Sequence, residues 1–287
     1  MFLSRKRRSS KEVTGEIVTR IQATRGWGKL NLDELWQYRD LIYFLLWREI
    51  NGRYKQMALG SLWLVLQPLY GIVLNTLVFG VLAKLPSDGL PYPLFNYAAM
   101  LPWTFFSGAL TRSAGSLSSN QGLISKVYFP RLVVAIVAVL SGLLDFLVSF
   151  GLLLMMMLYF GFVPGIAVLT LPLFFGLAIT TALGIGLCLA SLQAWFRDVG
   201  FMLNYILQAW LYLTPVVYSS AVVPEKWRFI YFLNPMATVV EGFRWALLGS
   251  ANLDWFPALI SVVESIFILW IGAYLFRRTE RTIVDIV

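Results

Sequence analysis

Six long apolar segments restrict this chain to folds in which helices cross a lipid bilayer. The hydrocarbon core of a bilayer is about 30 Å thick, so a crossing helix needs about 20 mainly apolar residues. The first segment, residues 61–83, reaches this length with no charged residue before Lys84. The segments predicted as spans one to six are 61–83, 95–110, 132–160, 165–192, 201–219 and 256–276. We therefore predict an all-α integral membrane protein.

Composition agrees with a membrane location and argues against several kinds of catalysis. Charged residues make up only 13% of the 287 residues, whereas soluble proteins carry about 25%. The chain has no histidine, which excludes Ser-His and Cys-His catalysis and histidine-ligated metal. Its single cysteine, Cys188, excludes an internal disulfide and a zinc cluster. We expect no catalytic residue, no metal, no cofactor in this chain and no nucleic-acid partner.

The basic residues predict the orientation of the six spans. Cytoplasmic loops of membrane proteins carry an excess of Lys and Arg. With the N-terminus inside, 19 of the 23 Lys and Arg residues fall on the cytoplasmic side and four fall outside. We predict a multi-pass membrane protein with both termini in the cytoplasm.

An amphipathic helix is predicted over residues 31–60, between a basic cytoplasmic tail at 1–30 and the six-span domain at 61–287. Asn31 is a suitable N-cap, and Glu34 follows three residues later. Polar residues recur every three or four positions along one face, while apolar residues cover the others, which is typical of a helix lying at a membrane surface. The polar face either docks a cytoplasmic partner or only anchors the helix, and the pattern leaves both interpretations open.

The segment 220–255, between spans five and six, is too rich in aromatic and apolar residues for an ordinary solvated loop. Backbone that enters a membrane must hydrogen-bond within itself or line a cavity. We predict short re-entrant helices on the external side, with an aqueous loop as the alternative.

Two acidic residues lie within predicted spans, Asp145 in the third and Glu264 in the sixth. A charge in the middle of a bilayer costs about 2.5–3.5 kcal/mol on insertion scales, so both must be shielded, paired or protonated. We expect them to pack against polar groups such as Thr180, Thr181 or Gln208. A proton relay is the alternative.

Several short motifs, taken in order, carry a resemblance to a known family. They are Trp36-x-x-Arg39-Asp40-Leu41, Trp47-Arg48-Glu49, Arg53-Tyr54-Lys55, Leu59-Gly60-Ser61-Leu62-Trp63, Pro68, Asn120 to Arg131, Phe196-Arg197-Asp198, Pro215-Val216-x-Tyr218, Asn234-Pro235, Glu241 and Phe243-Arg244. Placed on six spans, these motifs resemble type-2 ATP-binding-cassette exporter permeases, particularly those that export O-antigen, capsule or teichoic acid. The basic tail before Leu30 has no counterpart in the pattern.

The resemblance implies a homodimer of this chain driven by two copies of a separate ATPase, which would bind the ATP and magnesium. It also implies a coupling segment at 113–131 that sits in a cleft of the ATPase, with the amphipathic helix as a second contact. The residues implied for coupling are Arg48, Glu49, Arg53, Lys55, Lys126, Tyr128 and Arg131.

The resemblance further implies that spans one and five line the transport pathway. Aromatic and amide side chains recur there at helical spacing: Trp63, Gln67 and Tyr70 in span one, and Phe201, Tyr205, Gln208 and Tyr212 in span five. Such a wall suits a glycan, because conduction needs weak and multiple contacts. Alternatively, these stripes pack a dimer interface or face lipid. The residues assigned to an external gate are Trp227, Phe229, Asn234, Pro235, Glu241 and Arg244.

The resemblance therefore implies the transmembrane subunit of an ATP-driven exporter of lipid-linked polysaccharide, located in a bacterial cytoplasmic (inner) membrane. Three alternatives remain at this point: a drug or small-lipid exporter of the same superfamily, a proton-coupled transporter that uses Asp145 and Glu264, and a membrane glycosyltransferase. The last would need acidic metal- or phosphate-binding motifs, whereas the external loops hold only isolated acids.

Overall fold

The computed structural model describes residues 32–55, 60–196, 198–249 and 254–283, and the regular elements in these ranges are all helical. The predicted basic tail, the N-cap at Asn31 and the motif residue Arg197 lie outside them. The α-helices are α1 (Leu32–Gln37), α2 (Arg39–Tyr54), α3 (Trp63–Asn75), α4 (Tyr92–Ala114), α5 (Ser116–Ser119), α6 (Gln121–Ile124), α7 (Leu132–Leu140), α8 (Leu143–Tyr159), α9 (Leu171–Trp195), α10 (Val199–Leu213), α11 (Glu225–Phe232), α12 (Pro235–Leu248) and α13 (Trp255–Ile283).

Four stretches of the described helices are long and apolar enough to cross a membrane: Trp63–Leu82, Leu132–Tyr159, Ile166–Trp195 and Trp255–Glu280. In the first of these, α3 continues as a π-helix over Thr76–Leu82. Helix α10 is a shorter apolar helix. For the described residues, the prediction of an all-helical protein with membrane-spanning helices is confirmed.

Helix α4 lies at the centre of the bundle and packs against α7, α8, α9 and α12. It begins three residues before the predicted span two, because Pro93 fits the first turn, where a missing N–H breaks no helical bond. The helix continues to Ala114, so Arg112 belongs to it. Most of its side chains are buried in an apolar core formed with α8, α9 and α12, which we call the first core.

Helices α9 and α13 cross with their backbones in direct contact. A Cβ atom at Gly272 would overlap the carbonyl oxygen of Gly184, and one at Gly184 would lie 2.7 Å from the backbone nitrogen of Leu269. Near this crossing, the hydroxyls of Thr181 and Ser265 form a hydrogen bond of 2.8 Å. Small residues that allow close approach and hydroxyls that bond across helices are characteristic of packing between membrane helices.

The third predicted span is broken at Ser141–Gly142 and forms two helices, α7 and α8. The guanidinium of Arg112 lies against Gly142, where it would overlap any Cβ atom. Its Nε donates to the carbonyl oxygen of Ala138 at 3.0 Å. Because Arg112 occupies the space that a side chain at residue 142 would take, the turn between α7 and α8 needs a glycine.

The fifth predicted span ends as a helix six residues early, at Leu213. Thr214 has an extended backbone, with φ −108° and ψ 142°. Pro215 explains this conformation, because a proline disfavours helical geometry in the residue before it and has no N–H to donate. Residues 214–219 therefore form an irregular, largely buried segment after α10.

A second apolar core lies at the opposite end of the bundle from Tyr92. It joins α2, α5 and α7 to the C-terminal parts of α9 and α13, and contains Leu45, Val133, Leu187 and Phe276. Helix α2 is therefore packed on the bundle through its own buried residue, Leu45.

The predicted amphipathic helix over 31–60 differs from the structure in two respects. It is divided at Tyr38 into α1 and α2, and α2 ends at Tyr54; residues 56–59 lie outside the described residues. Its non-polar residues also differ in exposure: aliphatic side chains and Tyr38 pack on the second core, whereas four aromatic side chains are exposed. The exposed aromatic residues are Trp36, Tyr43, Phe44 and Trp47.

Candidate transport pathway and coupling sites

All seven residues predicted to line the pathway have exposed side chains in the single chain: Trp63, Gln67, Tyr70, Phe201, Tyr205, Gln208 and Tyr212. They lie on two helices that both pack against α4, since α3 contacts α4 and α8 while α10 contacts α4 and α9. The two stripes are therefore carried by helices on the same central helix, and their side chains remain available to a substrate, a second subunit or lipid.

Helix α4 presents a strip of hydroxyl groups that the sequence analysis missed. Thr104, Ser107 and Thr111 recur at spacings of three and four, and the Thr104 and Thr111 side chains are exposed. Each hydroxyl donates to a carbonyl oxygen of the preceding turn, at distances of 2.7–3.2 Å. This bond leaves the oxygen lone pairs available as acceptors. The 3–4 spacing was the sequence signal that could have identified the strip.

Ring contacts on either side of this strip place it between α8 and α10. On one flank, Trp103 and Phe106 pack edge-on against Trp210 of α10, with centroid distances of 6.3 Å and 5.2 Å. On the other flank, Phe105 packs against Phe146 of α8. The strip thus lies between α10, which carries one predicted aromatic stripe, and α8, on which α3 with the other stripe packs. We call the strip and its two flanks the α4 groove.

The predicted coupling segment ends in an exposed apolar tip. Val127 and Tyr128 are 51% and 77% exposed, whereas the next residue, Phe129, is only 4% exposed and is buried in the second core. Lys126 beside the tip is also exposed. After the end of α4, the predicted coupling segment forms two one-turn helices, α5 and α6, followed by this tip. Phe129 therefore anchors a tip whose two apolar side chains project outward.

Two of the arginines assigned to coupling form hydrogen bonds that hold the coupling segment in place. The guanidinium of Arg131 donates to the carbonyl oxygen of Glu280 at 2.6 Å, and the Arg131 backbone N–H donates to the Glu280 carboxylate at 3.1 Å. Arg48 on α2 donates to Asn120 at 3.0 Å. The coupling segment is therefore tied to α13 on one side and to α2 on the other, while Glu49 and Lys55 are exposed.

Arg53 turns toward the bundle instead of offering its charge to the surface. Its guanidinium lies 2.7 Å from the Asp145 carboxylate and 3.0 Å from the Ser141 hydroxyl. The expectation that Asp145 packs against Thr180, Thr181 or Gln208 is therefore wrong. This pair could not be predicted from the sequence, because the two residues are 92 positions apart and no local pattern predicts the break at Ser141. The pair joins the end of α2 to the start of α8.

Two of the neighbours proposed for Glu264 form hydrogen bonds with other groups. The two threonines bond elsewhere, Thr180 to a carbonyl of its own helix and Thr181 to Ser265. The Glu264 Oε2 atom is buried without a hydrogen-bond partner among the described residues. Those residues also contain no group of His, Cys, Asp or Glu that could hold a metal ion.

At the end of the bundle near Tyr92, Arg244 of α12 is 2% exposed and organises the irregular segment 214–219. Its guanidinium donates to the carbonyl oxygens of Val216 at 2.7 Å, Phe95 at 3.2 Å and Tyr218 at 3.3 Å. It also lies over the Phe95 ring, 3.6 Å from the centroid. One side chain thereby satisfies backbone carbonyls that the break after α10 leaves without helical partners.

Other side chains complete this arrangement, which we call the Arg244 network. Tyr92 and Asn96 of α4 donate to the carbonyl oxygens of Val217 and Val216. Asn234 caps α12 by accepting from the Met236 N–H, accepts from Trp210 and donates to Thr214. The network therefore connects α4, α10 and α12 through hydrogen bonds to one irregular segment.

The electrostatics of the Arg244 network depend on burial. Burial lowers the pKa of Arg244 to about 10, partly offset by the charges of Glu241 and Asp88, so the guanidinium remains positive at neutral pH. Burial raises the pKa of the Glu241 carboxyl, which a hydrogen bond with Ser220 and the Arg244 charge partly oppose.

The residues predicted as an external gate thus occupy different environments. Pro235, Glu241 and Arg244 are buried, and Trp227 on α11 is exposed. The side chain of Phe229 lies outside the described residues.

The helices and their apolar faces define a multi-pass membrane protein. A model of the ABC-2 type transporter family matches residues 40–248, about three quarters of the chain. The chain therefore belongs to the ABC-2 type transporter family. Membership makes it the membrane permease of an exporter, not the catalytic subunit, and implies an ATPase partner.

Relatives of known role agree with this assignment. The O-antigen export system permease protein RfbA of Myxococcus xanthus is 30% identical over 252 residues, covering 86% of this chain and 96% of that protein. RfbA of Klebsiella pneumoniae is 25% identical over 90% of this chain and 98% of its own length. The polysialic acid transport protein KpsM of Escherichia coli is 25% identical over 84% of this chain and 93% of its own.

Proposed function

We propose that this chain is the transmembrane subunit of an ATP-driven exporter that moves a lipid-linked polysaccharide of the O-antigen or capsular kind across the cytoplasmic membrane. This class of substrate is supported by relatives that are named for O-antigen export and polysialic acid transport. Their similarity to this chain extends over most of their own length. The α4 groove is the observation that carries the proposal. Its hydroxyl strip and aromatic flanks suit sugar rings, because hydroxyls can exchange hydrogen bonds while aromatic faces contact C–H groups.

A homodimer completes this pathway in our proposal. The pathway residues of α3 and α10 are exposed in the single chain, so the described part of the chain does not enclose them. A second copy placed against these residues would supply the missing wall. Closed two-fold symmetry is the commonest arrangement of identical subunits.

We infer the six-span topology, with both termini in the cytoplasm, from the distribution of basic residues and from the helices. Spans two and five correspond to α4 and α10, and the other spans to the four long apolar stretches. The proposed organisation is a tail at 1–30, an interface helix at 31–60 and a transmembrane domain at 61–287. This orientation places the Arg244 network and the gate segment 220–255 outside, and the second core inside.

Coupling to the two ATPase subunits is proposed for the tip of the segment 113–131. Val127 and Tyr128 are the apolar side chains that project there, and Lys126 adds charge beside them. Glu49 and Lys55 on α2 provide exposed charges for a second contact. Arg131, Arg48 and Arg53 then act indirectly, by joining the tip and α2 to α13 and α8.

Replacing Tyr128 with alanine is expected to weaken ATPase binding at least tenfold, because an exposed aromatic anchor in a partner's cleft contributes disproportionately to an interface. The measurement is the apparent affinity of the cognate ATPase for the permease in detergent or nanodiscs. Tyr159 is a matched control, since it is 85% exposed at the far end of α8, and Tyr159→Ala should bind the ATPase normally. Equal affinity of the Tyr128 variant and the wild type would contradict the coupling proposal.

A further inference from the structure

Asn75 places an amide inside the apolar stretch Trp63–Leu82, away from both of its ends. The Asn75 Nδ2 atom lies 3.9 Å from the sulfur of Met100 on α4, and the side chain forms no other hydrogen bond with the described residues. A thioether is a weak acceptor, and a polar group in an apolar environment is costly when its hydrogen bonds are not made. Packing between the helices therefore does not explain why an amide occupies this position.

Two contacts show how the first span runs along α4. A Cβ atom at Gly80 would lie 2.8 Å from the ring of Tyr92, at the start of α4. Asn75 lies beside Met100, about two turns further along α4. Residue numbers fall on the first span as they rise on α4, so the two helices run in opposite directions.

This register leaves an opening beside Gly71. Gly71 is one turn before Asn75 and Thr104 is one turn after Met100, so Gly71 lies level with Thr104. A Cβ atom at Gly71 would meet no neighbouring atom within 4 Å. The Thr104 side chain is exposed, and its hydroxyl donates to the Met100 carbonyl at 2.7 Å, which leaves the lone pairs of the oxygen available. We call the opening bordered by these four residues the Gly71 niche.

The chemistry of the niche suits a polar, uncharged ligand. Neither Asn75 nor Thr104 carries a charge, so both offer hydrogen bonds without attracting an ion. The acyl chain of a lipid would leave the amide and the hydroxyl without partners, whereas a sugar can bond to both. Gln67, one turn before Gly71, is exposed, as is the neighbouring Tyr70. The niche therefore continues the predicted pathway residues along the first span.

We propose that the Gly71 niche is a subsite for one sugar ring of the exported glycan, an inference that rests on the proposed function. The Asn75 amide donates to one sugar hydroxyl and accepts from another, and the Thr104 oxygen accepts from a third. The absence of a side chain at Gly71 provides the space, and the Met100 thioether contacts the C–H groups of the ring. Weak and multiple contacts of this kind allow a glycan chain to pass instead of remaining bound.

The first test measures glycan on the surface of permease-deleted cells with a membrane-impermeant lectin, at equal amounts of permease in the membrane. Gly71→Val fills the niche and is expected to lower the rate of export at least tenfold. Asn75→Leu keeps a similar volume without the amide and should lower the rate about fivefold, the effect of one neutral hydrogen bond. Gly176→Val on α9 is the matched control, because a Cβ atom there also meets nothing within 4 Å. It should export as the wild type does.

The second test locates the glycan by photo-crosslinking in the same cells. With p-benzoylphenylalanine in place of Asn75, irradiation should produce permease that the lectin detects on a blot, and the same replacement of Gly176 should not. Glycan attached at neither position or equally at both, or only phospholipid attached at position 75, would overturn the proposal. Wild-type export by both Asn75→Leu and Gly71→Val would also overturn it.

The wild type separates this proposal from the function on which it rests. If wild-type cells display the glycan while the variants and the crosslinks behave as just described for failure, only the niche is wrong. If wild-type cells display no glycan, the proposed function is wrong and the niche is wrong with it.

Discussion

Arg244→Gln is expected to destabilise the folded permease by about 3–5 kcal/mol, because it leaves buried carbonyl oxygens without their charged donor and removes a positive charge near a buried carboxyl. The substitution removes the donor to the carbonyl oxygens of Phe95 and Tyr218 and leaves the buried Glu241 carboxyl without its nearest positive charge. A loss of this size corresponds to a fall of about 10 °C in melting temperature. The measurement is thermal unfolding of the purified protein in detergent.

Arg228 provides the matched control, because it is exposed on α11, and Arg228→Gln should melt within about 2 °C of the wild type. Adding Glu241→Gln to Arg244→Gln should recover part of the loss, since it removes the buried carboxyl that the first change leaves uncompensated. Arg244→Lys should retain little of the wild-type stability, because a lysine ammonium cannot donate to three carbonyl oxygens in the directions that the planar guanidinium group does. Equal melting temperatures for Arg244→Gln and Arg228→Gln would contradict a stabilising role for the network.

Asp145→Asn is expected to lower ATP-driven export about tenfold while changing ATP hydrolysis less. The Arg53–Asp145 pair connects α2, which we place against the ATPase, to the break between α7 and α8. Its two side chains are 23% and 37% exposed, so solvent screens the pair only in part. Coupling energies between sites are commonly 1–3 kcal/mol, which corresponds to about 5–150-fold. The quantity to measure is the ratio of glycan exported to ATP hydrolysed in proteoliposomes.

The double variant Arg53→Asp/Asp145→Arg, which exchanges the two charges, distinguishes a loss of coupling from a loss of folding. If the attraction between these side chains transmits motion, the exchange should restore most of the export that either single change removes. The adjacent pair Arg39–Asp40 is the control, because its atoms are 3.7 Å apart and its side chains are 60% and 95% exposed. Arg39→Ala should export normally. Unchanged export in both Arg53→Ala and Asp145→Asn would contradict this role.

The spans were predictable from sequence because hydropathy over about 20 residues decides whether a helix can cross a membrane. Two helix boundaries were predicted wrongly, and both depend on contacts between residues that are distant in the sequence. The third span is divided into α7 and α8 because Arg112 lies against Gly142, and no local sequence pattern around Ser141 predicts this division. The early end of α10 had a local signal in Pro215, but the carbonyls it exposes are satisfied by Arg244, 28 residues away from Val216.

In the candidate site, too, local features were predictable from sequence and contacts between distant residues were not. Helical spacing groups the aromatic and amide residues of α3 and α10, which are exposed in the single chain, because residues three and four apart share a face of a helix. It did not predict which helix lies between them, since that depends on packing around α4. Charge alone suggested that the arginines of α2 face a partner. Their direction is set instead by Asn120 and Asp145, which the fold brings close from more than 70 residues away.

The central claim is that this chain exports a lipid-linked polysaccharide with energy from a separate ATPase. The direct measurement is the appearance of glycan on the outer face of the membrane, detected with a membrane-impermeant lectin, in cells that lack their own permease. Labelling is expected only when this chain and a hydrolysis-competent ATPase are both present, and should persist when the proton gradient is collapsed but ATP is maintained. Labelling without the ATPase, or its loss on collapse of the gradient with ATP unchanged, would contradict the claim.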